Sequence, residues 1–186
     1  GCAGWSLAAS VASRFPAHGS HLERYAQVFS CVEINSSFYR SHRPDTYVRW
    51  AASVPDDFRF SVKLPRAITH EARLAGVEPA LQSFLNEIAG LGDKLGYLLV
   101  QLPPSLALDV ALATRCFAAL RAQSPAALAV EPRHASWFTT EAVALLQHAG
   151  VTRVQAHPAA VTEAVSMPEP PAYIRLHGAP RMYYSP

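Results

Sequence analysis

Short apolar runs alternate with longer stretches of helical periodicity along the chain. The runs at residues 2–5, 31–36, 58–64, 96–102, 127–132, 151–156 and 172–177 read as strands. Between them, Leu22, Tyr25, Ala26 and Phe29 take the spacing of one helical face, and Leu81, Phe84, Leu85 and Ile88 repeat it. Pro79 falls near the first turn of that second helix, where a missing N–H is tolerated. The Ala-rich stretch 109–123 has high helix propensity, with Asp109 as its N-cap. Thr139 or Thr140 is placed to cap a helix through His148, and Gly150 to end it. Strands that alternate with helices pair in parallel, with the helices packed outside.

Alternate side chains of a strand point to opposite faces. Val32 and Ile34 oppose Glu33 and Asn35; Phe60 and Val62 oppose Ser61 and Lys63; Leu98 and Val100 oppose Leu99 and Gln101. Further on, Leu128 and Val130 oppose Ala129 and Glu131, with Arg133 just beyond, and Ile174 and Leu176 oppose Tyr173, Arg175 and His177. One face is aliphatic each time, and the other ends in a polar group near the strand's C-terminal end. A doubly wound sheet, covered by helices on both faces, is apolar on both. A barrel has helices outside and functional groups at the C-terminal mouth. The expected fold is therefore α/β, a TIM-like (β/α) barrel with seven units visible and the eighth missing or disordered. It is read as a single domain over residues 1–186, incomplete at its C-terminus, because a barrel of this kind needs ~250 residues.

Composition narrows the class without naming a reaction. With 50% hydrophobic and 16% charged residues, the chain is neither disordered nor a coiled coil. No apolar run reaches the ~18 residues of a membrane span. A net charge of +2 does not point to nucleic acid or a membrane surface. Cys2, Cys31 and Cys116 are widely spaced and form no CxxC, so no zinc knuckle or redox pair is indicated, and free thiols suit the cytoplasm. The glycine-rich run 90–96 precedes a strand, whereas a phosphate loop follows one.

Six blocks carry a family resemblance: GxxGW at 1–5, VEINSSFYR at 32–40, FRFSVKLPRAITH at 58–70, KLGYLLVQLPPS at 94–105, AVEPRHASW at 129–137 and YIRLHG at 173–178. In that order they resemble the DUF72, or YecE-like, family. The resemblance implies a TIM-barrel-like fold, an uncharacterised activity, and a further strand with an Asn-rich motif beyond this chain's last residue. It also implies an Asp near the end of the sixth strand, where this chain has Gln155, Ala156 and His157.

The inward set holds the chemistry. Two carboxylates, Glu33 and Glu131, face three strong cations, Lys63, Arg133 and Arg175. Ions taken out of water cost several kcal/mol each unless paired. The remaining positive charge calls for an anion, so the expected partner is a small anionic or phosphorylated molecule bound by Lys63, Arg133 and Arg175. Glu33, Glu131 and His177 are the expected proton-transfer residues. Asn35 and Gln101 are the neutral hydrogen-bonding groups, and His70 is a loop contact. Trp5, Phe38, Tyr39 and Trp137 are aromatics placed to stack on a substrate or to plug the mouth. Lys63 fits either an ion-paired anion clamp, the favoured reading, or a Schiff-base amine. His134 is either a site residue or a loop histidine, and Trp50 is read as core. Paired carboxylates also suit glycoside hydrolysis, but Gln101 and His177 stand at the strand ends where many barrel glycosidases place theirs.

Two other classes stay open. One is a metal-dependent phosphodiesterase or nucleic-acid-acting barrel using Glu33, Glu131, His157 and His177. The other is a non-catalytic binding or scaffold protein whose lumen is closed by ion pairs. No cofactor is expected, and hydrolase, lyase and isomerase are not distinguished.

Overall fold

The computed structural model describes residues 1–161, 164–170 and 172–178. Five strands form one sheet: β1 (Cys31–Ile34), β2 (Arg59–Lys63), β3 (Leu95–Gln101), β4 (Ala127–Glu131) and β5 (Val151–Arg153). They lie side by side in chain order, and every pairing is parallel. A two-stranded parallel ladder follows, β6 (Gln155–His157) with β7 (Ile174–Leu176). The fold is thus α/β around a parallel sheet.

The helices form where the sequence supplies caps and apolar stripes. Helix α1 (His21–Ala26) opens on a capping box made by Ser20 and Glu23. In α2 (Pro44–Ala52) and α3 (Glu78–Ile88) a proline sits in the first turn. Asp109 caps α4 (Val110–Gln123) by accepting from the Leu112 N–H, and Thr139 caps α5 (Thr140–His148) by accepting from that of Ala142. None of the helices among the described residues is long and apolar enough to cross a membrane.

One large core joins these helices to one face of the sheet. Leu22, Tyr47, Leu81, Phe84, Phe117 and Leu146 pack with Val32, Ile34, Phe60, Val62, Leu98, Val100, Leu128 and Val130. A separate small cluster of Leu99, Ala129 and Val154, with Tyr97 and Tyr173 against it, fills part of the opposite face. For β1 to β4 the parity split seen in the sequence is therefore the division between the helix-covered face and the opposite face.

The first and sixth predicted strands need correction. Residues 2–5 make a single bridge, Ala3 to Glu33, rather than a strand. Gly4 adopts φ +95°, which takes the chain out of the extended region after one pairing. Residues 151–156 divide at Val154. Its N–H still bonds to the Val130 carbonyl, whereas the N–H of Gln155 bonds to the Tyr173 carbonyl. The chain passes there from pairing with β4 to pairing with β7. Residues 179–186, which lead to the expected eighth unit, lie outside the described residues.

The strip curls. From β1 to β7 there are five inter-strand steps, which would span ~24 Å if flat. Yet Tyr173 and Arg175, flanking and within β7, hydrogen-bond to Glu33 on β1. Among the described residues no backbone ladder joins β7 to β1 or Ala3; side chains make that link.

Candidate functional site

Three strands end on polar residues: Lys63, Gln101 and Glu131 are the last residues of β2, β3 and β4, with Lys63 paired to Leu99, one side-chain repeat before Gln101. Parallel register puts Gln101 beside Glu131 and Glu33 beside Ser61. Glu33, Lys63, Gln101, Glu131 and His177 are all buried.

Arg175 is the hub. Its Nη2 donates to Glu33 Oε1 at 2.8 Å and its Nε to Glu33 Oε2 at 3.0 Å, a bidentate clamp. Its Nη1 donates to Glu131 Oε2. Burial works against the guanidinium's charge, but the two carboxylates outweigh it and hold its pKa above the ordinary arginine value. The Tyr173 hydroxyl donates to Glu33 Oε2 at 2.9 Å and lies 2.7 Å from Ser61 Oγ. Burial, with Glu33 alongside, keeps that phenol protonated well above its usual range.

Glu131 collects four partners. Besides Arg175, it accepts from Gln101 Nε2 at 3.1 Å and Arg133 Nη2 at 3.2 Å, and its Oε1 lies 2.9 Å from His177 Nε2. Burial alone would raise its pKa. Arg175, His177 and Arg133 outweigh that and hold it below the carboxylate norm. An ionised carboxylate fixed on an imidazole nitrogen sets the tautomer and aim of His177.

Lys63 differs from the other cations. Its Nζ makes no hydrogen bond among the described residues and sits 3.8 Å above the Phe38 ring, with the residue 4% exposed. Burial first, then the Arg175 charge, lowers its pKa to about 8, although Glu33 and Glu131 oppose the shift. Local folding builds this seat. The Ser37 hydroxyl lies 2.6 Å from the Lys63 carbonyl and 3.0 Å from that of Ile34, which pins the turn carrying Phe38 against the end of β2. His70, on a π-helical turn (Ala67–Glu71), packs edge-on against the same ring at 4.9 Å. Burial and the Lys63, Arg66 and Arg133 charges lower its pKa, so the imidazole is neutral. The Asn35 side-chain oxygen, at the end of β1, is buried without a hydrogen-bond partner.

Of the residues expected at the mouth, Glu33, Lys63, Gln101, Glu131, Arg133, Arg175 and His177 share one charged cluster, with His70 beside it through Phe38. Others go elsewhere. Trp137 is core, its indole N–H donating to the Leu106 carbonyl at 3.0 Å. Trp5 stacks edge-on against Trp50 at 4.9 Å, and both pack on the helix-side core. Tyr39 is 72% exposed and touches Phe38. The His134 ring caps the turn that follows, taking the N–H of Ser136. His157 is exposed, on the opposite parity from Ala156, the register partner of Arg175. Among the described residues no group of three or more His, Cys, Asp or Glu is placed to hold a metal ion. Tyr173 and Ser61 were not among the expected site residues, whereas Phe38, one of the aromatics expected at the strand ends, lies under the Lys63 amine. Tyr173 shares its parity with Arg175 and His177, which was the available signal.

Comparison with known proteins agrees with this architecture. A family model described as "Protein of unknown function DUF72" matches residues 1–186. The curated UPF0759 protein YecE of Escherichia coli (strain K12) is 38% identical over 82 residues, which is 44% of this chain and 30% of that protein. The matched stretch is thus less than a third of the relative's length. A DUF72 family protein of Thermotoga maritima MSB8, solved by crystallography, superposes with TM-score 0.72 at 27% identity, covering 96% of this chain and 73% of that one. One from Enterococcus faecalis V583 gives TM-score 0.69 at 22% identity over 84% of this chain and 69% of that one, a likeness of fold.

Proposed function

The chain belongs to the DUF72 family, whose function is unknown, and from that premise we propose that the strand-end cluster is an enzyme site for a small anionic or phosphorylated molecule at the mouth of a TIM-like barrel. The curled parallel strip, wound in chain order with helices on one face, supports the barrel reading. Lys63 and Arg133 bind the anion, and His177, held by Glu131, transfers the proton. Glu33 acts as a positioning carboxylate, since both of its oxygens are engaged by Arg175 and one also by Tyr173.

Charge supports this reading most. Arg175 is shared between both carboxylates, so among the described residues the cluster holds Glu33 and Glu131 against Arg175, Arg133 and a Lys63 with no carboxylate on its amine. Counted over those five side chains, one positive charge is in excess, and an anion neutralises it. Arg133 is the more exposed arginine, at 23% of its side chain against 10% for Arg175, and so is the one a ligand reaches first. Calorimetric titration with inorganic phosphate and small phosphorylated compounds tests it. Saturable binding that Arg133→Gln weakens about tenfold or more is expected. Binding that ignores this substitution, or no binding at all, overturns it.

The Arg175 clamp also favours a second reading, a closed ion-paired plug with no ligand. It predicts no anion binding and no cost in any activity when Lys63 is neutralised.

A further inference from the structure

Sixteen residues of this chain are Lys or Arg, and only Lys63 and Lys94 are lysines. The chain meets almost every need for a cation with arginine. Lys94 is tied into the fold, since its Nζ donates to the Ala51 carbonyl at 2.9 Å and the Val54 carbonyl at 2.8 Å, and pairs with Asp56. Lys63 has none of these attachments. Its amine is buried at the strand ends, carries no hydrogen bond among the described residues, and rests on an aromatic face. An arginine in that seat would also carry charge and would stack better on Phe38. What only lysine offers is a nitrogen that can lose its proton and form a bond.

We propose that Lys63 is a nucleophilic amine that captures the carbonyl carbon of a small anionic aldehyde or 2-oxo acid as a Schiff base. This rests on the reading of the mouth as an anion site, and it adds the substrate's reactive group. Phe38 and the first turn of chain after β1 form the floor. Arg133 supplies charge for the substrate's carboxylate or phosphate.

The step balances without an oxidant or a metal. The neutral amine adds to the carbonyl carbon, so a C–N bond forms while the C=O π bond breaks onto oxygen. The two amine protons pass to that oxygen, which leaves as water while C=N closes. Uptake of one further proton gives the iminium, an electron sink for bond breaking at the neighbouring carbon. The lowered pKa of about 8 makes the first event accessible. At pH 7 about a tenth of such amines are neutral, roughly two orders of magnitude more than for an ordinary lysine. His70, neutral and on the same ring, is the adjacent group able to relay protons.

Having only two lysines makes the test clean. The protein is incubated at pH 7 with glyoxylate or glyceraldehyde 3-phosphate and sodium cyanoborohydride, which delivers hydride to an iminium carbon and fixes the adduct. Peptide mass spectrometry then compares Lys63 with Lys94. We expect the adduct on Lys63 about tenfold or more ahead of that on Lys94, and slowed by inorganic phosphate. Labelling of Lys63 no faster than of Lys94 overturns the proposal, and this readout needs no variant to fold. Lys63→Arg is expected to abolish trapping, and phosphate binding is measured on the native protein alongside. Phosphate binding without trapping overturns the amine role alone. Trapping by neutral glycolaldehyde as fast as by the anionic compounds, with no protection by phosphate, overturns the anion site instead.

Discussion

Lys63 and Arg175 show opposite relations between charge and burial. Arg175 is buried with two carboxylates, and each group's charge is compensated by the others. Arg175→Met leaves two buried carboxylates without their shared cation, and a loss of about 3–5 kcal/mol is expected in urea denaturation at pH 7. The pH dependence should weaken as well. In the native protein the depressed pKa of Glu131 gives stability that is present above about 4.5 and lost as the pH falls through the lowered value. In the variant Glu131 loses the largest of the charges that lower it, so less stability is lost as the pH falls. Parallel pH profiles for the two proteins would contradict the clamp. Lys63 runs the other way. Its folded pKa of about 8 lies below the unfolded 10.5, so its charge is a penalty that is complete below pH 8 and relieved as the pH rises to 10.5. That difference is worth about 3 kcal/mol. Lys63→Met is therefore expected to be at least as stable as the native protein at pH 7, with the gap closing toward pH 10.5. A strongly destabilised Lys63→Met would show a structural amine instead. A residue that lowers stability where it sits is one retained for another reason.

Elements owe their positions to close contacts as much as to propensity. Gly90, in the turn before β3, leaves no room for a side chain: a Cβ there would stand 2.6 Å from Val48 Cγ2 and 2.9 Å from the Val48 nitrogen on α2. Gly90→Ala must push α2 from that turn and is expected to cost about 1–3 kcal/mol by thermal denaturation. An unchanged midpoint would mean that the contact relaxes freely. Asp109→Ala, which removes a cap and little else, is expected to cost about 1 kcal/mol. Both the cap and the helical faces were legible in the sequence, because capping and amphipathicity act over three or four residues. The pairing at the start of the chain and along 151–156 was not legible, since apolar runs predict extended chain but not its partner. Gly4 ends the first pairing after one bridge, and at Val154 one run of chain serves two ladders.

At the scale of the molecule, the cluster is a tie between distant strands. Glu33 and Arg175 are 142 residues apart in sequence and 2.8 Å apart in space. Through them β1, β4 and β7 share one ionic network, so substitutions in it should not add. Glu33→Gln and Glu131→Gln are expected to show a coupling of about 0.5–3 kcal/mol in a double-mutant cycle. Additive effects would mean that Arg175 serves the two carboxylates independently. On β7 the apolar side chains Ile174 and Leu176 are exposed, at 58% and 78%. Their parity puts them on the face opposite Arg175, where β1 to β4 are covered by helices.

The sequence by itself determined which side of each strand is polar, because alternation is a property of extended backbone and needs no partner. From that came the charged set at the strand ends, while the alternation of strands with helices set the parallel α/β class. It did not determine who pairs with whom. Nothing in the spacing of Glu33, Glu131 and Arg175 says that one guanidinium closes on both carboxylates, since that depends on how far the sheet curls. Nor does local sequence separate Trp137, drawn into the core by a carbonyl 31 residues away, from Phe38, which becomes a floor for Lys63. An amine's reactivity is set by what surrounds it after folding. The chain supplied the lysine, and burial beside Arg175, with no hydrogen-bond acceptor on its amine among the described residues, made it unlike the other one.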